Sequence, residues 1–158
     1  MRTARTGAAA KAGHDLLLHV TDWAAEVDLG EHPRLSLDAD GASLRVREGT
    51  GGMQKLGDDD IAGIHQSIDD DVLRKRPIAF RSTRAEPVKD GQVRVEGELS
   101  IGGASHPIAF DLYPADGRIR GEATVKQSDW GIKQFSILFG ALKVADEVEV
   151  EIDAAQSR

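Results

Sequence analysis

Over most of the chain, apolar and polar residues alternate with a period of two. Val93-Arg94-Val95-Glu96-Gly97-Glu98-Leu99-Ser100-Ile101 is the clearest run, with apolar or small residues at odd positions and polar ones between. That is the period of a strand with one face in a core and the other in water. Residues 118–126 repeat it, and so do residues 148–153. Shorter runs at 35–38, 44–47 and 108–112 follow suit, and residues 16–23 read as a further strand. Lys89-Asp90-Gly91, Ala115-Asp116-Gly117 and Asp40-Gly41 stand between runs and supply residues that tolerate positive φ. Gly102-Gly103-Ala104-Ser105-His106-Pro107 links two runs as a hairpin does. Strands with this punctuation predict an all-β, antiparallel barrel or sandwich.

One segment has a different period. After Asp58-Asp59-Asp60, which suit a helix N-terminus, Ile61, Ile64, Ile68 and Val72 fall on one helical stripe. The pattern predicts a single amphipathic helix over residues 58–73. Arg74-Lys75-Arg76 are cations suited to its C-terminal end, and Pro77 stops it. No linker or repeat divides the chain, so residues 1–158 read as one domain with a helix packed on or plugging a barrel.

Composition narrows the functional classes. A formal charge of −7 opposes general binding to nucleic acid or to anionic membranes, leaving room only for a local basic patch. The absence of cysteine excludes disulfides, thiolate nucleophiles and cysteine-ligated zinc. The first residues hold no apolar run of ~7–15 residues like that of a secretory signal. No segment approaches the ~20 apolar residues of a spanning helix. The expectation is a cytoplasmic protein with no integral membrane segment.

Candidate chemistry is sparse. His14 and Asp15 are a base beside a carboxylate, but neighbours on a strand point to opposite faces. The remaining histidines, His19, His32, His65 and His106, show no metal-ligand spacing, so no metal site is expected. The runs Asp58–Asp60 and 69–71 lack the alternating acids and central Gly of a calcium loop and read as helix capping and a solvated face. Gly49-Thr50-Gly51-Gly52 is too short for a phosphate cradle and reads as a flexible loop. Asp129 reads as a turn residue accepting backbone hydrogen bonds.

The apolar clue is stronger. Three of the chain's seven aromatic residues, Trp130, Phe135 and Phe139, lie within one short stretch, among Ile132, Ile137, Leu138 and Leu142. Either they pack one end of the barrel or they line the mouth of a cavity. Gly97, Gly121 and Ala123 share the inward parity of their strands, where small side chains either let strands coil or leave space.

Four stretches resemble the YceI-like family: "KAGHDL" at 11–16, "PIAFRST" at 77–83, "VEGELSIGGASHPIAFDL" at 95–112 and "VKQSDWGIKQFSILFGALKVADEVEVEI" at 125–152. The likeness covers most of the chain from about Gly7. Ser128-Asp129-Trp130-Gly131-Ile132 matches the family's Ser-Asp-Phe-Gly-Ile element with Trp in place of Phe. Gly102, Gly103, His106 and Pro107 occupy a turn that usually reads His-Gly-Val-Thr-Lys-Pro. The resemblance implies an up-and-down, lipocalin-like antiparallel β-barrel with one amphipathic helix, often dimeric, around a hydrophobic cavity. Members with a ligand carry a long polyisoprenoid or quinone-like chain, and the family has no established catalytic residues. Many relatives carry an export signal, which this chain does not show.

These readings lead to a non-catalytic carrier of an isoprenoid, quinone or fatty-acid-like molecule, without a cofactor, without nucleic acid, and in a homodimer. The expected lining is Leu16, Leu18 and Val20 from one strand; Phe80, Val95, Leu99, Phe110 and Val125 from others; and Trp130, Phe135 and Phe139 at the end. Two alternatives stand beside it. One is an enzyme acting on a lipid-like substrate through His14, Asp129 or His106. The other is a ligand-free interaction module with a solid barrel.

Overall fold

The computed structural model describes residues 1–156. Ten strands form one antiparallel sheet: β1 (Arg2–Thr3), β3 (His14–Val20), β4 (Trp23–Asp28), β5 (Arg34–Asp40), β6 (Leu44–Gly51), β7 (Pro77–Pro87), β8 (Val93–Ile101), β9 (Ala104–Ala115), β10 (Arg118–Lys126) and β13 (Glu147–Ala155). Three short strands, β2 (Arg5–Thr6), β11 (Ser136–Ile137) and β12 (Leu142–Val144), make a second small sheet. The one α-helix among the described residues, α1, spans Asp58–Ser67.

The large sheet runs β4-β5-β7-β8-β9-β10-β13-β1-β3-β6. Its middle, β7 to β10, is a meander joined by short turns. Gly102 and Gly103 both hold positive φ (59° and 91°), the geometry that lets a two-residue loop follow the twist of β8 and β9. Residues buried along β8 alternate strictly with exposed ones over most of its length, as the sequence period requires. Residues 16–23, expected as one strand, divide at Thr21-Asp22 between β3 and β4.

That division is what curls the sheet. β3 pairs with the last strand, Val20 opposite Leu44, while β4 is the first strand and pairs Trp23 with Ala39. Two residues, Thr21 and Asp22, therefore connect opposite ends of the strand order, and Gly41–Ser43 makes the same crossing from β5 to β6. Both crossings are too short unless the two sheet edges meet there. Buried Ser43 holds the junction: its Oγ donates to the Asp40 carbonyl (2.8 Å) and accepts from the Asp22 amide (3.0 Å). Along the rest of the seam, α1 lies beside the edge of β6, and His65 Nε2 accepts the Val46 amide at 2.9 Å. An edge N–H that would otherwise be open to another chain is thereby satisfied.

The helix starts as its acids predict, with the Asp60 carboxylate accepting the Gly57 amide at 2.9 Å. It does not continue as an α-helix to residue 73. Residues Ile68–Val72 form a π turn in which the Leu73 amide reaches the Ile68 carbonyl (2.8 Å). In an α-helix, residues five apart point in different directions. The wider turn puts Ile68 and Leu73 on one face, and both are buried in the core. Arg76 then folds back, its Nε donating to the Leu73 carbonyl (2.9 Å), before Pro77 opens β7.

Candidate functional site

The two halves of the barrel interior differ. Toward one end, Val93 faces Leu112 and Val95 faces Phe110 across adjacent strands, with Ile119 and Leu35 completing a packed core. Phe80 belongs to this core, its ring 5.2 Å from that of Phe110. Gly97 lies beneath it: a Cβ there would stand 2.3 Å from the Arg81 carbonyl oxygen and 2.5 Å from the Phe80 ring. Gly121 is equally confined, 2.7 Å from the Asp111 carbonyl oxygen. Of the small inward residues, which either let strands coil or leave space, these two let neighbouring groups pack onto the backbone. Ala123 does face open volume.

The other half is hollow. A cavity of about 1320 Å³ lies between the sheet, α1 and the segment that carries β11 and β12. Ligand pockets commonly measure about 300–1,000 Å³, so this one is large enough for more than a compact metabolite. Leu16, Leu18 and Val20 of β3 line it, with Leu99, Phe110, Val125 and Phe135, all residues expected in the lining.

Four expected residues lie elsewhere. Phe80 and Val95 are buried in the packed half. Trp130 is buried outside the cavity, where its Nε1 donates to the Leu99 carbonyl at 2.7 Å and its ring meets the His106 imidazole edge-on at 5.3 Å. A buried indole N–H needs an acceptor, and the Leu99 carbonyl supplies it. Phe139 corrects its expectation most sharply, since it is fully exposed at the tip of a turn.

Part of the lining escaped the sequence reading. Val148, Val150 and Ile152 of β13 face the cavity, and their alternation with Glu149 and Glu151 was signal enough to find them. Ile64, Ile68 and Val72 contribute the helical stripe. Ile132, Ile137 and Leu142, read with Trp130 as either end packing or the mouth of a cavity, line it as well.

Polar groups gather where this cavity meets the chain's N-terminal segment. His14 Nε2 bonds to the Gln54 carbonyl (2.7 Å), and Arg5 Nη1 donates to the Gly13 carbonyl (2.6 Å). Asp15 turns the other way and accepts the Arg5 amide (2.8 Å), so His14 and Asp15 diverge as strand geometry requires. Arg5 and His14 pack onto Gly51 and Gly52, leaving no room for a Cβ on either. The glycine run read as a flexible loop is thus the close-packed end of β6, paired with β3.

The turn at 127–130 holds another correction. Its carboxylate acceptor is Asp146, not Asp129: Asp146 takes hydrogen bonds from the Ser128 amide (2.8 Å) and hydroxyl (2.5 Å). The hydroxyl bond is the main reason its carboxyl is held below the usual carboxylate range. Among the described residues, no hydrogen bond joins His14, His106 and Asp129 to one another. No group of three or more His, Asp or Glu among them is placed to hold a metal ion. No helix among them is long and apolar enough to cross a membrane.

The fold matches solved structures. Burkholderia cenocepacia BcnA superposes with a TM-score of 0.64 at 14% identity, covering 96% of this chain and 93% of that one. The Campylobacter jejuni YCEI protein gives 0.56 at 17% identity, covering 90% and 86%. A mutant CJ YCEI protein with a monobromobimane guest structure gives 0.59 at 16% identity with the same coverage. At such identities the likeness concerns the fold. No curated protein matches the chain by sequence. A family model, the YceI-like domain, matches residues 61–155, from the middle of α1 to the end of β13. With more than half its length matched and the same barrel around its cavity, this chain belongs to the YceI-like family.

Proposed function

We propose that the protein is a non-catalytic binding protein that holds an isoprenoid or other lipid-like chain in the hollow half of its barrel. The observation that supports this reading is the cavity itself, about 1320 Å³ and lined mainly by aliphatic and aromatic side chains. Each methylene-sized group moved from water into such a lining gains ~0.8 kcal/mol. About a dozen of them gain about 10 kcal/mol. Association costs about 4–15 kcal/mol, so short fragments bind weakly and long chains are selected. One domain over residues 1–158, a homodimer and a cytoplasmic setting complete the proposal.

The volume of the cavity favours this reading over a solid interaction module. It is also favoured over catalysis, since neither His106, set edge-on against Trp130, nor Asp129 lines the cavity, while His14 has its Nε2 engaged by a backbone carbonyl. Organic extraction of protein purified without detergent, followed by mass spectrometry, tests it. The expected result is a long-chain lipid in near-stoichiometric amount. Protein that yields none, and that also fails to take up a fluorescent long-chain probe after delipidation, overturns it.

A further inference from the structure

Leu138 and Phe139 are bulky apolar residues left exposed in the turn between β11 and β12. Both sit in the left-handed region, each with φ 53°, where a Cβ is crowded by its own backbone. Such strain is ordinarily held in place by burial, yet Leu138 and Phe139 are exposed and Ile137 beside them is nearly half exposed. The tip they form joins β11 to β12, and the chain on either side of it lines the cavity through Phe135, Ile137 and Leu142. Along the chain, apolar residues therefore continue from the cavity lining at Ile137 to the exposed tip.

The surroundings have a charge opposite to the whole. Residues 4–13 pack against the tip, the Ala9 amide donating to the Ala141 carbonyl at 2.8 Å. Neither this segment nor residues 130–145 contains Asp or Glu, in a chain of net charge −7. Arg5 is turned onto backbone carbonyls, but Lys11 and Lys133 are exposed and Lys143 is half-buried. A protein partner needs about 800 Å² from each side of a stable interface, far more than a three-residue tip supplies. A bilayer needs no complementary surface. It accepts a small apolar wedge, and anionic headgroups favour lysines around it.

We propose that the tip at Ile137, Leu138 and Phe139 docks the protein on an anionic lipid bilayer, so that a lipid-like chain passes between membrane and cavity without crossing water. This rests on the binding reading above. The test is co-sedimentation of the wild-type chain with phosphatidylcholine vesicles, with and without phosphatidylglycerol, beside Leu138→Ser, Phe139→Ser and Lys11→Glu. Both apolar residues are exposed, so these variants are expected to fold, and circular dichroism checks that they do. Docking predicts sedimentation that is stronger with phosphatidylglycerol. It also predicts a loss of roughly tenfold in partitioning for Phe139→Ser and a smaller loss for Lys11→Glu. Wild-type protein that stays in solution with both vesicle types overturns it, as does equal binding by the serine variants. So does a Phe139→Ser variant that changes only the oligomeric state in sedimentation velocity. Extraction and mass spectrometry of the same samples keep the two readings apart. Tip-dependent vesicle binding by a protein that carries no lipid and takes up no long-chain probe supports docking and removes the binding-protein reading.

Discussion

Gly97 and Ala123 both point inward from neighbouring regions of one sheet, yet enlarging them should have opposite effects. Ala123 stands opposite Val150 in the β10–β13 ladder, and both face the cavity. Replacing its methyl by the isobutyl group of leucine adds apolar surface that enters open volume. At ~0.8 kcal/mol per methylene, and with the side chain partly exposed to begin with, Ala123→Leu should stabilise delipidated protein by about 1–2 kcal/mol. Gly97 is in the packed half, 2.3 Å from the Arg81 carbonyl oxygen by the position of an added Cβ. Backbone on one side and the Phe80 ring on the other must move, so Gly97→Ala should cost about 1–3 kcal/mol. Urea unfolding of the delipidated proteins reads both. With a slope of about 1–3 kcal/mol per molar urea, the midpoints should move apart by about 1 M or more, Ala123→Leu upward and Gly97→Ala downward. Ala123→Leu should also weaken uptake of a long-chain probe. If Ala123→Leu destabilises as much as Gly97→Ala, the interior is solid on both sides of Phe110 and the reasoning fails.

Three further outcomes follow from the geometry. Trp130→Phe removes the indole donor from the Leu99 carbonyl and should lower stability by about 1–3 kcal/mol in urea unfolding; a change below about 0.5 kcal/mol would mean that the bond is not formed. His65→Leu keeps the bulk of the side chain but removes the acceptor of the Val46 amide. It should cost about 1 kcal/mol and speed hydrogen exchange at Val46 while leaving the β8–β9 ladder protected; unchanged exchange at Val46 would contradict the pinning of α1 to that edge. Asp146, with its carboxyl lowered mainly by the Ser128 hydroxyl, contributes stability that is present above the unfolded-state value and is lost as pH falls through the lower folded one. Ser128→Ala should therefore raise the carboxyl titration of Asp146 seen by NMR, and the stability gap between the two proteins should close in acid; a titration that does not move refutes the assignment.

Period-two alternation made β8, β10 and β13 legible, because each has one face in the interior and one in water. The helical stripe was legible for the same reason, but its π turn was not: which residues five apart must share a face depends on where the sheet lies. Strand pairing beyond the hairpins depended on long-range closure. Nothing local in Thr21-Asp22 says that it joins the first strand of the sheet to the second-last. Small inward residues were ambiguous by nature, since glycine marks both empty space and a close approach; Gly97 and Gly121 are the second kind. Trp130 and Phe139 show the limit of counting aromatics. One is drawn inward by an acceptor on β8, the other is held outward by backbone conformation, and neither cause is local to its own side chain.

The central claim is that an apolar chain fits the hollow half of the barrel. A crystal structure of protein prepared without detergent measures this most directly. The account predicts continuous elongated density running from Leu18 past Val125 to Phe135, in van der Waals contact with those side chains. An interior closed by side chains, or filled by ordered waters hydrogen-bonded to converging ionisable groups, would contradict it.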